Sequence, residues 1–172
     1  MRRGYIFTFL ILLAIQVVLG DLLNLTQYVI LSYLPVMIMS LPVTYGTPKV
    51  LIIAFATGFA VDFLTHGVLG LTVSALLPVA FARNTIVKLV FGSELLSRQE
   101  NISIHKQGPA KVLLGTFLAT LLYFAVYVPV DCAGTRSFGF IMLRMLLSLA
   151  VSTPVSYYVA GILSPLEADR WR

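Results

Sequence analysis

Residues 112–130 read VLLGTFLATLLYFAVYVPV. The run carries no charged side chain and is as long as a membrane span, which needs roughly 20 apolar residues. A transmembrane β-barrel would need alternating segments of about 10 residues instead. The run does not alternate, so it reads as a helix crossing a bilayer.

The rest of the chain is built the same way. Of its 172 residues, 59% are hydrophobic and 11% are charged, with a mean hydropathy of +0.95. An average soluble domain is about 25% charged. Too few polar groups remain to cover a water-facing surface, and the chain is too apolar for a disordered one. The expected fold is an all-α integral membrane protein, one polytopic domain over 1–172 with about six transmembrane helices. The spans predicted are about Tyr5–Leu23, Tyr28–Thr44, Val50–Leu64, Val68–Val90, Val112–Val130 and Phe138–Leu163. Prolines fall inside the second, fourth and sixth, where a broken backbone ladder must find other partners. The short third span is expected to end in a re-entrant bend near Asp62–Gly70.

Basic residues set the expected orientation, since cytoplasmic loops are enriched in Lys and Arg. With the N-terminus inside, Arg2, Arg3, Lys49, Lys88, Arg98, Lys106, Lys111, Arg170 and Arg172 are cytoplasmic and only Arg136 is outside. Both termini are therefore expected in the cytoplasm. This bias accounts for the net charge of +5 without a nucleic-acid partner. The first span follows Arg2 and Arg3 like a signal peptide, but its apolar run exceeds an h-region of about 7–15 residues, so it reads as an uncleaved anchor. Ser97–Ala110 reads as a cytoplasmic loop, and Asn84–Leu96 before it is partly amphipathic.

Few residues could carry chemistry. Cys132 is the single cysteine, and His66 and His105 lie far apart, so neither a disulfide nor a zinc site is expected. No nucleotide-binding, metalloprotease or hydrolase motif is present. No catalytic residue, metal or cofactor is assigned. Asp62, Arg83 and Arg144 sit in or near apolar surroundings, where a charge at the bilayer centre costs at least about 2.5 kcal/mol without a partner. Arg83 is expected to snorkel to cytoplasmic headgroups. Arg144 either pairs with Asp62 or snorkels outward. Asp62 and His66, four apart, share a face if the helix continues; the local expectation is a carboxylate that caps a helix end near Gly67. Ala54 and Gly58, like Ala56 and Ala60, have the spacing that lets helices approach closely.

Residues 58–77 read GFAVDFLTHGVLGLTVSALL. With Gly58, Asp62, Gly67, Gly70–Leu71 and Ser74–Ala75, this stretch resembles the glycine–aspartate signature of the rod-shape-determining protein MreD family. Length, span count and the Arg-led N-terminus are similar as well. The resemblance implies a bacterial inner-membrane protein without catalytic activity, a scaffold in the elongation machinery of the peptidoglycan wall. Its implied partner is an MreC-like single-span protein. The wider assembly would hold RodA, a class B penicillin-binding transpeptidase and MreB. The implied fold is a compact bundle similar to the substrate-binding S components of vitamin transporters. Ala54, Gly58, Asp62, His66, Gly67, Gly70 and Arg144 are the structural or partner-binding candidates. The rival reading is an S component itself, which would bind a vitamin in a pocket on the outer side.

Overall fold

Prolines decide where several helices begin. The structure, a computed structural model, describes residues 3–23, 28–65, 68–92, 107–133 and 136–163. Six helices run through them: α1 (Arg3–Leu23), α2 (Leu34–Met39), α3 (Thr47–Leu64), α4 (Leu71–Phe91), α5 (Pro109–Asp131) and α6 (Phe138–Leu163). Pro35, Pro48 and Pro109 each sit in the first turn of their helix, where a missing N–H costs nothing. Four helices, α3 to α6, are long and apolar enough to cross a membrane, and α1 is apolar over Tyr5–Gly20.

The predicted second span is corrected. Helix forms only over the six residues of α2, about 9 Å at ~1.5 Å per residue, against a hydrocarbon core of ~30 Å. The prolines act as boundaries. Pro35 sets the start of α2, and Pro42 comes two residues after its C-cap Ser40. The chain before α2, residues 28–33, is not helical.

Successive long helices pack on one another: α3 on α4, α4 on α5, and α5 on α6. α2 lies at the centre, touching all five other helices, and each of its residues is buried. Around it gather Val79 of α4, Ala119 and Phe124 of α5, and Val50 and Ala54 of α3. The outside is apolar: Phe7, Ile52, Phe81, Leu89, Phe138 and Tyr158 each expose about two thirds or more of their area. A soluble monomer rarely exposes contiguous apolar surface on this scale, and lipid is the solvent that accepts it.

α3 and α4 meet at Gly58. A Cβ there would stand 2.9 Å from the Cα of Val73, so the two backbones touch where only a hydrogen fits. Ala54 is fully buried on the same face. α3 then ends at Leu64 and α4 starts at Leu71 as an ordinary antiparallel pair. The bend expected near Asp62–Gly70 falls at the junction of these two helices. His66 and Gly67 lie outside the described residues.

Candidate functional site

Asp62 sits near the end of α3, two residues before its last, and reaches across to the next helix. Its Oδ2 accepts a hydrogen bond from the Gly70 N–H at 2.9 Å, and Oδ1 accepts from the Thr72 N–H at 3.0 Å. These are first-turn donors that α4 cannot satisfy itself. A carboxylate at a helix N-terminus is also favoured by the helix dipole. Gly70 caps α4 with φ +92°, a left-handed conformation that favours glycine. Asp62 is 3% exposed, so its charge is held by backbone donors rather than by water.

The expected Asp62–Arg144 pair does not form. Arg144 instead pairs with Asp131, at the end of α5, with Nη1 2.6 Å from Oδ2, and Nη1 lies 3.2 Å from the Cys132 sulfur. The physical reason is register. The Asp62 oxygens are already engaged with α4, whereas Arg144 on the second turn of α6 faces the end of its hairpin partner.

Arg83 is corrected too. It is 2% exposed and points into the bundle. Its Nε donates to the Met39 carbonyl and its Nη2 to the Leu41 carbonyl. Those oxygens lie at and just beyond the end of α2, where helix termination leaves acceptors unpaired. A cation there also opposes the negative end of the helix dipole. Tyr5 Oη donates to the Ser40 carbonyl at 2.9 Å, so the whole end of α2 is capped by side chains.

Upstream of α2 the non-helical backbone is held in the same manner. Ser148 Oγ accepts from the Ile30 N–H at 2.9 Å. Ser152 Oγ accepts from the Ser32 N–H and donates to the Ile30 carbonyl, both at 3.2 Å. From the other side, Gln16 Nε2 donates to the Leu31 carbonyl at 3.0 Å, and its Oε1 accepts from the Tyr33 N–H at 3.3 Å. Side chains of α1 and α6 thus do for residues 30–33 what helix bonds do elsewhere. In hydrocarbon each unpaired backbone group would cost several kcal/mol.

Between this segment and the start of α4 lies a cavity of about 90 Å³. Its polar lining includes Gln16, Ser32, Asp62, Thr65 and Thr72, with Tyr123 and Tyr127 of α5 along one side. The two rings stack with centroids 5.3 Å apart. Ser32 is 2% exposed and stands beside the Tyr123 phenol.

Sequence reading singled out Asp62, Gly58 and Gly70, which the fold brings together at the α3–α4 hairpin. Arg144 lies apart from them. Gln16, Ser148, Ser152, Tyr123 and Tyr127 were missed. One signal was available: Ser148, Ser152 and Ser156 recur every four residues in α6 and mark one helix face. Among the described residues, no three His, Cys, Asp or Glu side chains gather as a metal site. The chain matches no family model, no curated protein and no solved structure.

Proposed function

We propose that the chain is a non-catalytic membrane scaffold of the MreD kind, which holds the transmembrane helix of an MreC-like single-span protein and helps organise peptidoglycan synthesis during cell elongation. RodA, a class B penicillin-binding transpeptidase and MreB would be reached through that assembly. One observation carries the reading. The residues of the resemblance, Gly58, Asp62 and Gly70, are spent on locking α3 to α4. About a quarter turn round α3 from that contact, Phe55, Phe59 and Phe63 are exposed and stack in succession with centroids 6.2 and 6.4 Å apart. A rigid hairpin with an exposed aromatic edge suits a partner helix better than a reaction.

The proposed setting is the bacterial inner membrane with both termini in the cytoplasm. Lys49 at the start of α3, Lys88 at the end of α4 and Lys111 at the start of α5 are exposed at one end of the bundle. Arg136 precedes α6 at the other. That asymmetry supports the orientation.

The transporter reading is weaker on size. Pockets for drug-sized ligands run to roughly 300–1,000 Å³, and the polar cavity here is about 90 Å³. Affinity capture of the tagged chain from detergent-solubilised membranes, read by mass spectrometry, separates the two. A single-span MreC-like protein at near-equimolar yield is the expected result. ATPase subunits or a bound vitamin in its place would overturn the scaffold.

A further inference from the structure

On the outside of the bundle, α4 and α5 leave an open apolar groove of about 370 Å³ between them. Thr85, Ile86 and Leu89 form one wall, and Leu118, Leu122 and Ala125 the other. Gly115 near the start of α5 lies against the Phe91 ring at the end of α4, which fixes the register of the two helices. Lys111 stands seven, eleven and fourteen residues before Leu118, Leu122 and Ala125, spacings that put it on their face of α5. Lys88 adjoins Leu89 and follows Thr85 by one turn. Both lysines are exposed. α4 carries no acidic residue, and the one acid of α5, Asp131, lies at its far end in the pair with Arg144. The mouth of the groove is therefore positive and its floor apolar. Counted from the Gly115–Phe91 contact, the two lysines differ in depth by about 10 Å at ~1.5 Å per residue. Lys88 is the deeper one, and snorkelling toward the interface carries its ammonium group toward Lys111.

We infer that this groove holds an anionic phospholipid, with its phosphate between Lys88 and Lys111 and one acyl chain laid along the apolar walls. Length fits a single lipid. From Lys111 to Ala125 the helix rises about 21 Å, and one leaflet with its head groups is half of about 40–45 Å. Charge selects the class. Any lipid offers the walls the same hydrocarbon, but only a head group with net negative charge answers two neighbouring cations, as basic pockets between membrane helices do for anionic lipids. A partner helix would cover the walls and leave both ammonium groups without an anion. The inference stands apart from the scaffold reading, whose partner edge lies on α3.

The test uses the full chain in detergent micelles, supplied with phosphatidylglycerol or phosphatidylcholine of the same acyl chains, and counts retained lipids by native mass spectrometry. One phosphatidylglycerol stays bound per chain. Its preference over phosphatidylcholine is about 25-fold at low salt, about fivefold for each lysine, and shrinks as salt screens the head group. Lys88→Gln and Lys111→Gln each lose about fivefold of it, and the double variant loses it all. Lys49→Gln removes an exposed lysine of α3 and leaves the preference unchanged. Ala125→Phe fills the deep end of the groove and weakens long-chain phosphatidylglycerol about fourfold, the contribution of one buried methylene, while a dihexanoyl form too short to reach it binds as before. All four positions are exposed, so the variants should fold, and equal thermal midpoints check that. Equal retention of the two lipids by the wild type would overturn the site. So would a loss in Lys49→Gln as large as in the groove variants, which marks surface charge only, or an Ala125→Phe variant that holds long-chain lipid as the wild type does. In native membranes, Leu122→photo-leucine should cross-link to lipid; capture of a protein there instead would also overturn the proposal.

Discussion

At the scale of single residues, Asp62 acts as a cap delivered from a neighbouring helix. Replacing it with Ala strips acceptors from two N–H groups at the start of α4. The expected loss is about 2 kcal/mol, the sum of a lost cap and stranded donors. Asp62→Asn keeps one acceptor oxygen and should lose about half as much. Denaturant titration of the detergent-solubilised protein, read by circular dichroism, checks both; equal midpoints for wild type and Asp62→Ala would refute the cap. Sequence alone could tell that an aspartate in apolar surroundings needs partners. It could not tell which, because carboxylate and guanidinium groups at similar depth suggest pairing when the rotation of each helix is unknown. Arg83 was misjudged for a related reason. A long cationic side chain near a span's end normally reaches for water, and the competing acceptors exist only because α2 stops at Met39.

At the scale of elements, two contrasts test the packing. Gly58→Ala forces a Cβ against the α4 backbone and should cost about 1–3 kcal/mol by overpacking. Ala56→Leu, on an exposed face of the same helix, should stay within about 0.5 kcal/mol. On α6, Ser152→Ala breaks both bonds to the segment before α2 and should cost about 1–3 kcal/mol. Ser156→Ala, one turn on, removes a hydroxyl with no partner and should be neutral or slightly stabilising. Reversible unfolding in mixed micelles measures all four; similar costs for Ser152→Ala and Ser156→Ala would remove the serine ladder from the account. Long apolar spans were legible because composition and length determine them. The second crossing was not. Its prolines at 35 and 42 permit either a kinked helix or a short helix between two stops. The choice lies in Gln16, Ser148 and Ser152, which are far from it in sequence.

At the scale of the whole molecule, the all-α bundle with an apolar exterior follows from 11% charge and the run at 112–130. Its sidedness is a separate matter, open to direct test. In cells, an impermeant maleimide should label Arg136→Cys and spare Lys49→Cys until the membrane is permeabilised. The opposite pattern would invert the proposed orientation. Cys132 is buried and gives a low background for that experiment.

The serine contacts of α6 also bear on how the chain is made. Residues 30 and 32 bond to residues 148 and 152, separations of 118 to 122 positions. At roughly 5–20 residues per second, the ribosome needs about 6–24 s to supply those hydroxyls after the early segment has emerged. Until then, part of the second crossing has no stable place in lipid. The first third of the protein therefore waits on the last, and a nascent chain cut short before α6 should be a substrate for quality-control proteolysis rather than a smaller bundle.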